Sequence, residues 1–289
     1  MTQHYWTRMK RVLDHIDGHL DEDLSVERLA QVAAFSKYHF HRQFSELFGI
    51  SVARYVQLVR MKRASYRLAF RGASVMEVAL NSGYEGPEAF ARAFKQWLEQ
   101  TPNDFRKQPN WTPWLQALGP ITQARSQAMA NDFIDGDVRI VDFSDTPVAL
   151  LEHRGDPSRI GDSVRRFISW RRSAGLPPRS SATYNIFHSD PASTAAEDYR
   201  MDICAATNGS IEPNEVGVVE GLIPGGRCAV LRLTGASDDL GAGFTFLYAD
   251  WLPRSGEELR DFPPFAQRVK FFPEVPENET VTDLFLPLR

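Results

Sequence analysis

Along the first hundred residues, apolar positions recur every three to four places, the spacing that gathers them on one side of an α-helix. Trp6, Met9, Val12, Leu13 and Ile16 form such a stripe over about 4–20. Ser25 opens SVERLAQVAAF. Ser36 opens a segment with Phe40, Phe44 and Phe48 in one row, closed by Gly49. Ser51 opens SVARYVQLVRMKRASYRLAF, which ends near Gly72. Ser74 opens SVMEVALNSG, and Pro87 opens PEAFARAFKQWLEQ. Serine before a periodic run, proline at a first helical position and glycine after the last are helix start and stop signals. Past about residue 137 the period changes. DVRIVDF alternates, and PVALLEHRG, GRCAVLRLTG, YRMDICAAT, VGVVEGLIP and TDLFLPLR read as strands.

The helical period settles what His39 and His41 can do. On a strand, residues two apart share a face and chelate one ion. On a helix they point about 200° apart, since each residue turns about 100°. No metal is therefore expected. With the phenylalanines inward, Tyr38, His41, Arg42 and Ser45 form an outward stripe.

The helical part contains one unit twice. Ser25, Ala30 and Phe35 recur as Ser74, Ala79 and Tyr84, 49 residues on. Phe40, Arg42, Phe44 and Ser51 recur as Phe90, Arg92, Phe94 and Thr101, 50 on. A short helix, a tight turn and a second helix make a helix-turn-helix, whose second helix enters the DNA major groove with its first turns at the base edges. The expected DNA-reading residues are Ser36, Tyr38, His41 and Arg42 in the first copy. In the second they are Glu88, Ala91, Arg92 and Lys95. Arginine bonds guanine bidentately, glutamate accepts from cytosine, and alanine touches a thymine methyl. A helix over 51–70 spans about 30 Å, close to the spacing of about 34–36 Å between groove segments on one side of DNA. Two motifs in one chain remove the need for a dimer. The cations of that helix, Arg54, Arg60, Lys62, Arg63 and Arg67, are expected on phosphates.

Charge agrees with a divided chain. Residues 1–108 hold 16 Lys and Arg against 12 Asp and Glu, and residues 109–289 hold 17 against 25. No run of about 18 apolar residues implies a membrane span. The first 25 residues lack the features of a signal peptide, and the two cysteines, Cys204 and Cys228, make no disulfide framework. A cytoplasmic protein is expected, with no cofactor.

The pattern S-x-x-x-F-x-R-x-F-x-x-x-x-G, then RMKRA, then VALNSGYEGPEAFARAFKQWLEQTPNDFRK, resembles the AraC/XylS family DNA-binding domain over about 5–107. The resemblance implies a bipartite DNA-binding domain acting on transcription, with RNA polymerase as a partner. Residues 109–137, with Pro109, Pro113 and Pro120, read as a linker. It holds a short helix packing Trp111, Trp114 and Leu115 against a neighbour.

The remaining chain, 138–289, is also doubled. Gly155, Ile160, Gly161, Val164 and Phe167 are matched by Gly235, Leu240, Gly241, Phe244 and Leu247, 80 residues on. Each half reads strand-helix-strand-strand, and two halves make an α+β domain around a curved antiparallel sheet. A groove between such halves is a common ligand location. Tyr184, Phe187, Phe244, Phe246, Trp251 and Phe271 are candidates to line it. The segments DP-x-S, DYRMD, IPGGRCAVLRLTG and LYADWLPRSG resemble the GyrI-like domain. This resemblance implies binding of small amphipathic, often cationic, molecules, and in some members a gyrase partner or hydrolysis. Where the family carries a pocket glutamate, in a segment like PxFExY, this chain has PPFAQRV, with Ala266 in that place. The expectation is a non-enzymatic regulator that binds double-stranded DNA and an apolar or amphipathic effector. The rival readings are a hydrolase and a gyrase or RNA polymerase interaction module. His153 and His188 are isolated in the sequence, which argues against the enzyme.

Overall fold

The structure, a computed structural model, describes residues 3–129, 133–235 and 240–289. It divides into two units, one of Met1–Asp132 with Phe272–Glu279 and the other of Phe133–Phe271 with Thr280–Arg289. Positions 130–132, in the expected linker, and 236–239, in the second glycine-containing loop, lie outside the described residues.

The helical unit follows its caps. Helices α1 (Gln3–Gly18) and α2 (Val26–Val32) precede α3 (Lys37–Phe48) and α4 (Val52–Tyr66), which runs on as a π-helical turn, Arg67–Arg71. Then come α5 (Val75–Leu80), α6 (Pro87–Leu98), α7 (Pro102–Lys107) and α8 (Trp111–Met129). Side-chain oxygens of Ser25, Ser36, Ser51, Ser74 and Thr101 each accept a hydrogen bond from the backbone N–H three residues on. Each supplies a partner for one of the otherwise unbonded donors of a first turn.

The repeat extends to the backbone. In the first helix-turn-helix the Phe35 N–H reaches the Ala30 carbonyl at 3.0 Å, and in the second the Tyr84 N–H reaches that of Ala79 at 3.1 Å. The left-handed turn residue is Ala34 in one copy and Gly83 in the other. The left-handed C-cap is Gly49 in one and Glu99 in the other. Alanine and glutamate hold a conformation costing roughly 1–2 kcal/mol, so each turn is fixed by the packing of its two helices.

One expectation is corrected here. Residues 111–129 are not a linker with a short helix but one 19-residue helix, with Pro120 inside it. Trp111 and Trp114 are buried, and so are Leu118, Ile121, Ala124 and Ala128, while Leu115 is 43% exposed. Trp111 stacks on Phe70 at 5.6 Å and meets Phe105 edge-on. The Trp114 indole N–H donates to the Ser65 hydroxyl at 2.6 Å. The prolines and threonines of the segment read as a break because only one face of α8 is apolar.

A buried charge network also ties α8 down. Arg125 donates to Asp17 and, at 2.9 Å, to Asp14 of α1. Burial pushes the Asp17 carboxyl up to about 7, against the opposing pull of Arg125. A carboxyl whose folded pKa lies above its unfolded value of 3.8 stabilises the fold fully below the unfolded value. That contribution is lost as the pH rises through about 7. The native chain should therefore lose up to roughly 1.4 kcal/mol per pH unit between those limits, relative to Asp17→Asn. Urea unfolding of both proteins at pH 5, 6 and 7 tests this, and parallel pH curves would refute it. Arg125→Ala, which removes the partner of Asp14 and of the buried Asp17, should cost about 3–5 kcal/mol.

The second unit is an eight-stranded sheet with helices. Its strands are β1 (Val138–Phe143), β2 (Thr146–Arg154), β3 (Thr183–Phe187), β4 (Arg200–Ala206), β5 (Val219–Ile223), β6 (Gly226–Thr234), β7 (Phe265–Lys270) and β8 (Val281–Pro287). All pairs are antiparallel, in the order β1-β6-β8-β7-β3-β4-β2-β5. Helix α9 (Ile160–Ser173) follows β2. The corresponding helical stretch after β6 is α10 (Gly241–Thr245), a π-helical turn (Phe246–Trp251) and α11 (Leu252–Ser255). The 80-residue repeat is thus a structural one, β2-α9-β3-β4 against β6-α10/α11-β7-β8. The halves meet at β3 and β7, where Asn185 lies opposite Ala266.

The halves exchange their leading strands: β1 pairs with β6, and β5 with β2. Their two turns pass so close that a Cβ on Gly225 would lie 2.8 Å from the Asp145 nitrogen. Only glycine fits there. Helix α9 packs Phe167 with Leu151, Ile203 and Ala205. Gly243 of α10 comes so close to Leu284 and Leu233 that a Cβ would be 2.7 Å from the former. These sheet residues share one face by register.

Candidate DNA-reading surface and effector face

The second helices of the two helix-turn-helix units, α3 and α6, present what their periodicity requires. In α3, Phe40, Phe44 and Phe48 are buried, while Tyr38, 85% exposed, stands outward with His39, His41 and Arg42. Ser36 caps this helix through the His39 N–H, so its hydroxyl serves the fold. In α6, Phe90, Phe94 and Leu98 are buried, while Glu88, Arg92 and Lys95 are exposed and Ala91 is half-buried. Among the described residues, neither Arg42 nor Arg92 has an ion-pair or hydrogen-bond partner. Two guanidiniums at repeat-related places are therefore left to solvent, which is what a surface reading an acceptor-rich partner needs.

Helix α4 corrects the sequence reading. Its cations do not form a phosphate-facing row. The Arg54 guanidinium lies 3.4 Å over the Trp97 ring of α6. Arg60 donates to the Leu20 and Glu22 carbonyls. Arg63 binds Asp21 at 3.0 Å and also the Asn81 carbonyl. Lys62 is buried against Glu277 at 2.9 Å, and Arg67 stands 3.8 Å from Glu77. These groups join α4 to the α1–α2 loop, to α5, to α6 and to residues 272–279. Cationic charge in a helix pattern does not distinguish a phosphate contact from an internal strut, because both use a long stem to carry the charge away from the helix axis. Arg63→Ala should accordingly lower the melting temperature and leave the slope of log affinity against log salt unchanged. A slope reduced by about one unit would restore the phosphate role.

The expected effector residues fall into two groups. Tyr184 and Phe187 lie on opposite faces of β3. Tyr184 packs with Phe143 and Phe265, at 6.1 and 6.4 Å, in a buried cluster with Phe285. It does not join Phe187 in one groove, because strand residues three apart face opposite ways. Phe187 meets Phe244 of α10 edge-on at 5.2 Å, on the helix-covered face. Ala266 lies on that face, fully buried. Around it by register are Asn185 and Leu284, with Thr183, Arg268 and Thr282 one pair along. The Arg268 guanidinium donates to Asn185 Oδ1 at 3.0 Å and to Thr282 Oγ1 at 3.4 Å. Trp251 is buried in the π-helical turn with Phe246, and Phe271 follows β7 half-buried. The polar members of this face were missed in the sequence. Their signal was the alternation of TYNIF, whose polar Thr183 and Asn185 share the face of Phe187, and the placing of Arg268 two residues after Ala266.

Neither histidine is isolated. His188 Nε2 is 2.6 Å from Asp202, which also receives Arg200. His153 donates from Nε2 to the Asp156 carbonyl at 3.2 Å, leaving Nδ1 to accept from the Ser163 hydroxyl at 2.9 Å. Burial lowers the His153 pKa, and Ser163 is buried between α9 and β2. The pair ties a helix to a strand, with a carbonyl in the place where a catalytic triad has a carboxylate.

Comparison with known proteins follows the same division. Residues 136–289 match a family described as the GyrI-like small molecule binding domain, and residues 29–108 match a helix-turn-helix domain family. The chain is similar to the probable transcriptional regulator YgiV of Escherichia coli K12, 40% identical over 153 residues, 53% of this chain and 96% of that protein. It is similar to the right origin-binding protein of the same organism, 28% identical over 140 residues, 48% of this chain and 46% of that protein. It is also similar to the uncharacterized HTH-type transcriptional regulator YbfP of Bacillus subtilis, 35% identical over 103 residues, 36% of this chain and 35% of that protein.

Proposed function

The chain belongs to the GyrI-like family of small-molecule-binding domains, and from that premise we propose that it is a transcription regulator. Its AraC-type helical unit reads DNA with α3 and α6, and its sheet unit senses an effector. The observation that carries the reading is the pair Arg42 and Arg92, exposed at repeat-related places and unpartnered among the described residues. The names of similar proteins support regulation rather than catalysis. RNA polymerase is the protein partner that transcription control requires, and the cytoplasm is the compartment that holds its DNA. No helix among the described residues is long and apolar enough to cross a membrane. In vitro selection of duplexes by the full chain, followed by gel shift at fixed salt, tests the reading. Enrichment of two short blocks about one helical turn apart supports it, and recovery of no preferred sequence refutes it.

The effector reading rests on Ala266. A buried carboxylate there would favour a cation, because its own burial is costly until a positive charge arrives. With Ala266, and with Asn185, Leu284 and the Arg268 guanidinium on the same face, the face offers apolar and hydrogen-bonding contact and a positive charge of its own that disfavours a cation. We infer a preference for neutral, weakly polar ligands. Calorimetry of a lipophilic cation and its neutral isostere against the native chain and Ala266→Glu should show cation preference only in the variant. Tighter cation binding by the native chain would sink the idea.

A further inference from the structure

We propose that Phe272, Glu274 and Glu277 are positioning residues for DNA reading, although they lie within the segment matched to the GyrI-like family and far outside the helix-turn-helix match. The proposal rests on the DNA-binding reading above. In chain order these residues belong to the connection between β7 and β8. In space, residues 272–279 are part of the helical unit. They meet α4 and its π-helical extension at three places. Glu277 pairs with Lys62 at 2.9 Å, and both side chains are 8% exposed. The Phe272 ring meets Tyr66 edge-on at 5.1 Å, with the Lys62 ammonium 5.2 Å over it. Glu274 pairs with Arg71 at 2.7 Å. From Lys62 to Arg71 these contacts span about 13 Å of helix.

That helix is the spacer between the two reading helices. Its N-terminal half follows α3 directly, and its C-terminal end leads into α5 and α6. A change in its π-helical end would alter the spacing and rotation of α6 relative to α3. The strap carries the charges that hold this end.

The choice of groups supports positioning over plain stability. A buried ion pair gains little over an apolar pair of the same shape, because two charges must be desolvated. What it does supply is register. The 2.9 Å Lys62–Glu277 contact is made only when Glu277 stands in one place along α4, so this pair fixes the setting of the strap on the helix. Its own ends are equally fixed. Only Phe271 and Thr280 separate it from β7 and β8, two central strands of the sheet. β7 is the strand that carries Ala266. A strap of eight residues clamped to α4 and joined at both ends to central strands makes the DNA-bound setting of α4 and the order of β7–β8 one linked equilibrium. Linkage of this kind is reciprocal, so DNA bound at α3 and α6 must protect β7 and β8.

Hydrogen exchange of the full chain, with and without a duplex selected by that same chain, tests this. The native protein should show slower exchange of β7 and β8 amides when DNA is bound. Glu274→Gln breaks an ion pair open to solvent and should leave the fold intact by circular dichroism. It should weaken DNA binding about fivefold, the lower end of measured couplings between sites, and lose the DNA-dependent protection. Glu277→Gln should do the same more strongly, and Glu277→Asp, which keeps the charge, should recover part of both. A contact that only stabilises would lower the melting temperature in these variants while leaving the protection in place. No protection of β7–β8 in the native chain, or native affinity and protection in Glu274→Gln, overturns the proposal. Failure of the native chain to select any duplex overturns the DNA reading instead, which gel shift detects before any exchange is measured.

Discussion

Replacing Arg42 or Arg92 by alanine is expected to weaken specific DNA binding by about 1–3 kcal/mol each and to relax base preference at a different block of the site. The effect is large because a bidentate guanidinium–guanine contact is lost and the acceptor atoms of that base are left without a designed donor. It is local because each arginine belongs to one copy of the motif. Neither substitution should affect stability, since both side chains are exposed and hold no partner among the described residues. Melting temperature and affinity for random DNA therefore serve as controls. If both variants keep native affinity and preference in the same salt, α3 and α6 are not the reading helices.

A fragment ending at residue 108 is expected not to fold, although it contains both helix-turn-helix motifs. It lacks α8, whose Trp111, Trp114, Leu118 and Ile121 are buried in the core. Large-to-small changes at buried Trp, Leu and Ile positions cost about 2–5 kcal/mol each. Together they rival the roughly 5–15 kcal/mol that holds a typical domain. A fragment of residues 1–129 restores these groups and should be helical. It still buries Lys62 without Glu277, so the added change Lys62→Met should stabilise it further. Thermal melts of the three fragments, followed by gel shift, decide the matter. A cooperative melt and full DNA affinity from 1–108 would remove α8 from the account.

Much of the fold was legible because it is governed by local periodicity. Phe40, Phe44 and Phe48 and their counterparts Phe90, Phe94 and Leu98 had to lie inward, so Tyr38, Arg42, Glu88 and Arg92 had to lie outward. The serine caps need only the residue and the first turn after it. The repeats of 49–50 and 80 residues showed the duplications, because equal sequence patterns make equal supersecondary units. The α4 cations were misread for a corresponding reason. Periodicity says which side chains leave the core, not which carboxylate or carbonyl waits for them. Arg63 meets Asp21, 42 residues away, and Lys62 meets Glu277, 215 away. Tyr184 was placed beside Phe187 because both are aromatic, when the strand period puts them on opposite faces.

By itself, then, the sequence determined the two kinds of unit, their internal duplications, and helices α3 and α6 with their outward residues, since each follows from spacing within a few turns or strands. The tertiary structure alone decided the rest. It made α8 part of the helical core, let the two halves of the sheet exchange their leading strands, and brought residues 272–279 onto α4. These depend on pairing between segments tens to hundreds of residues apart. Such pairings are selected by the fit of whole surfaces and by the desolvation cost of single charges such as Lys62, which no local pattern records.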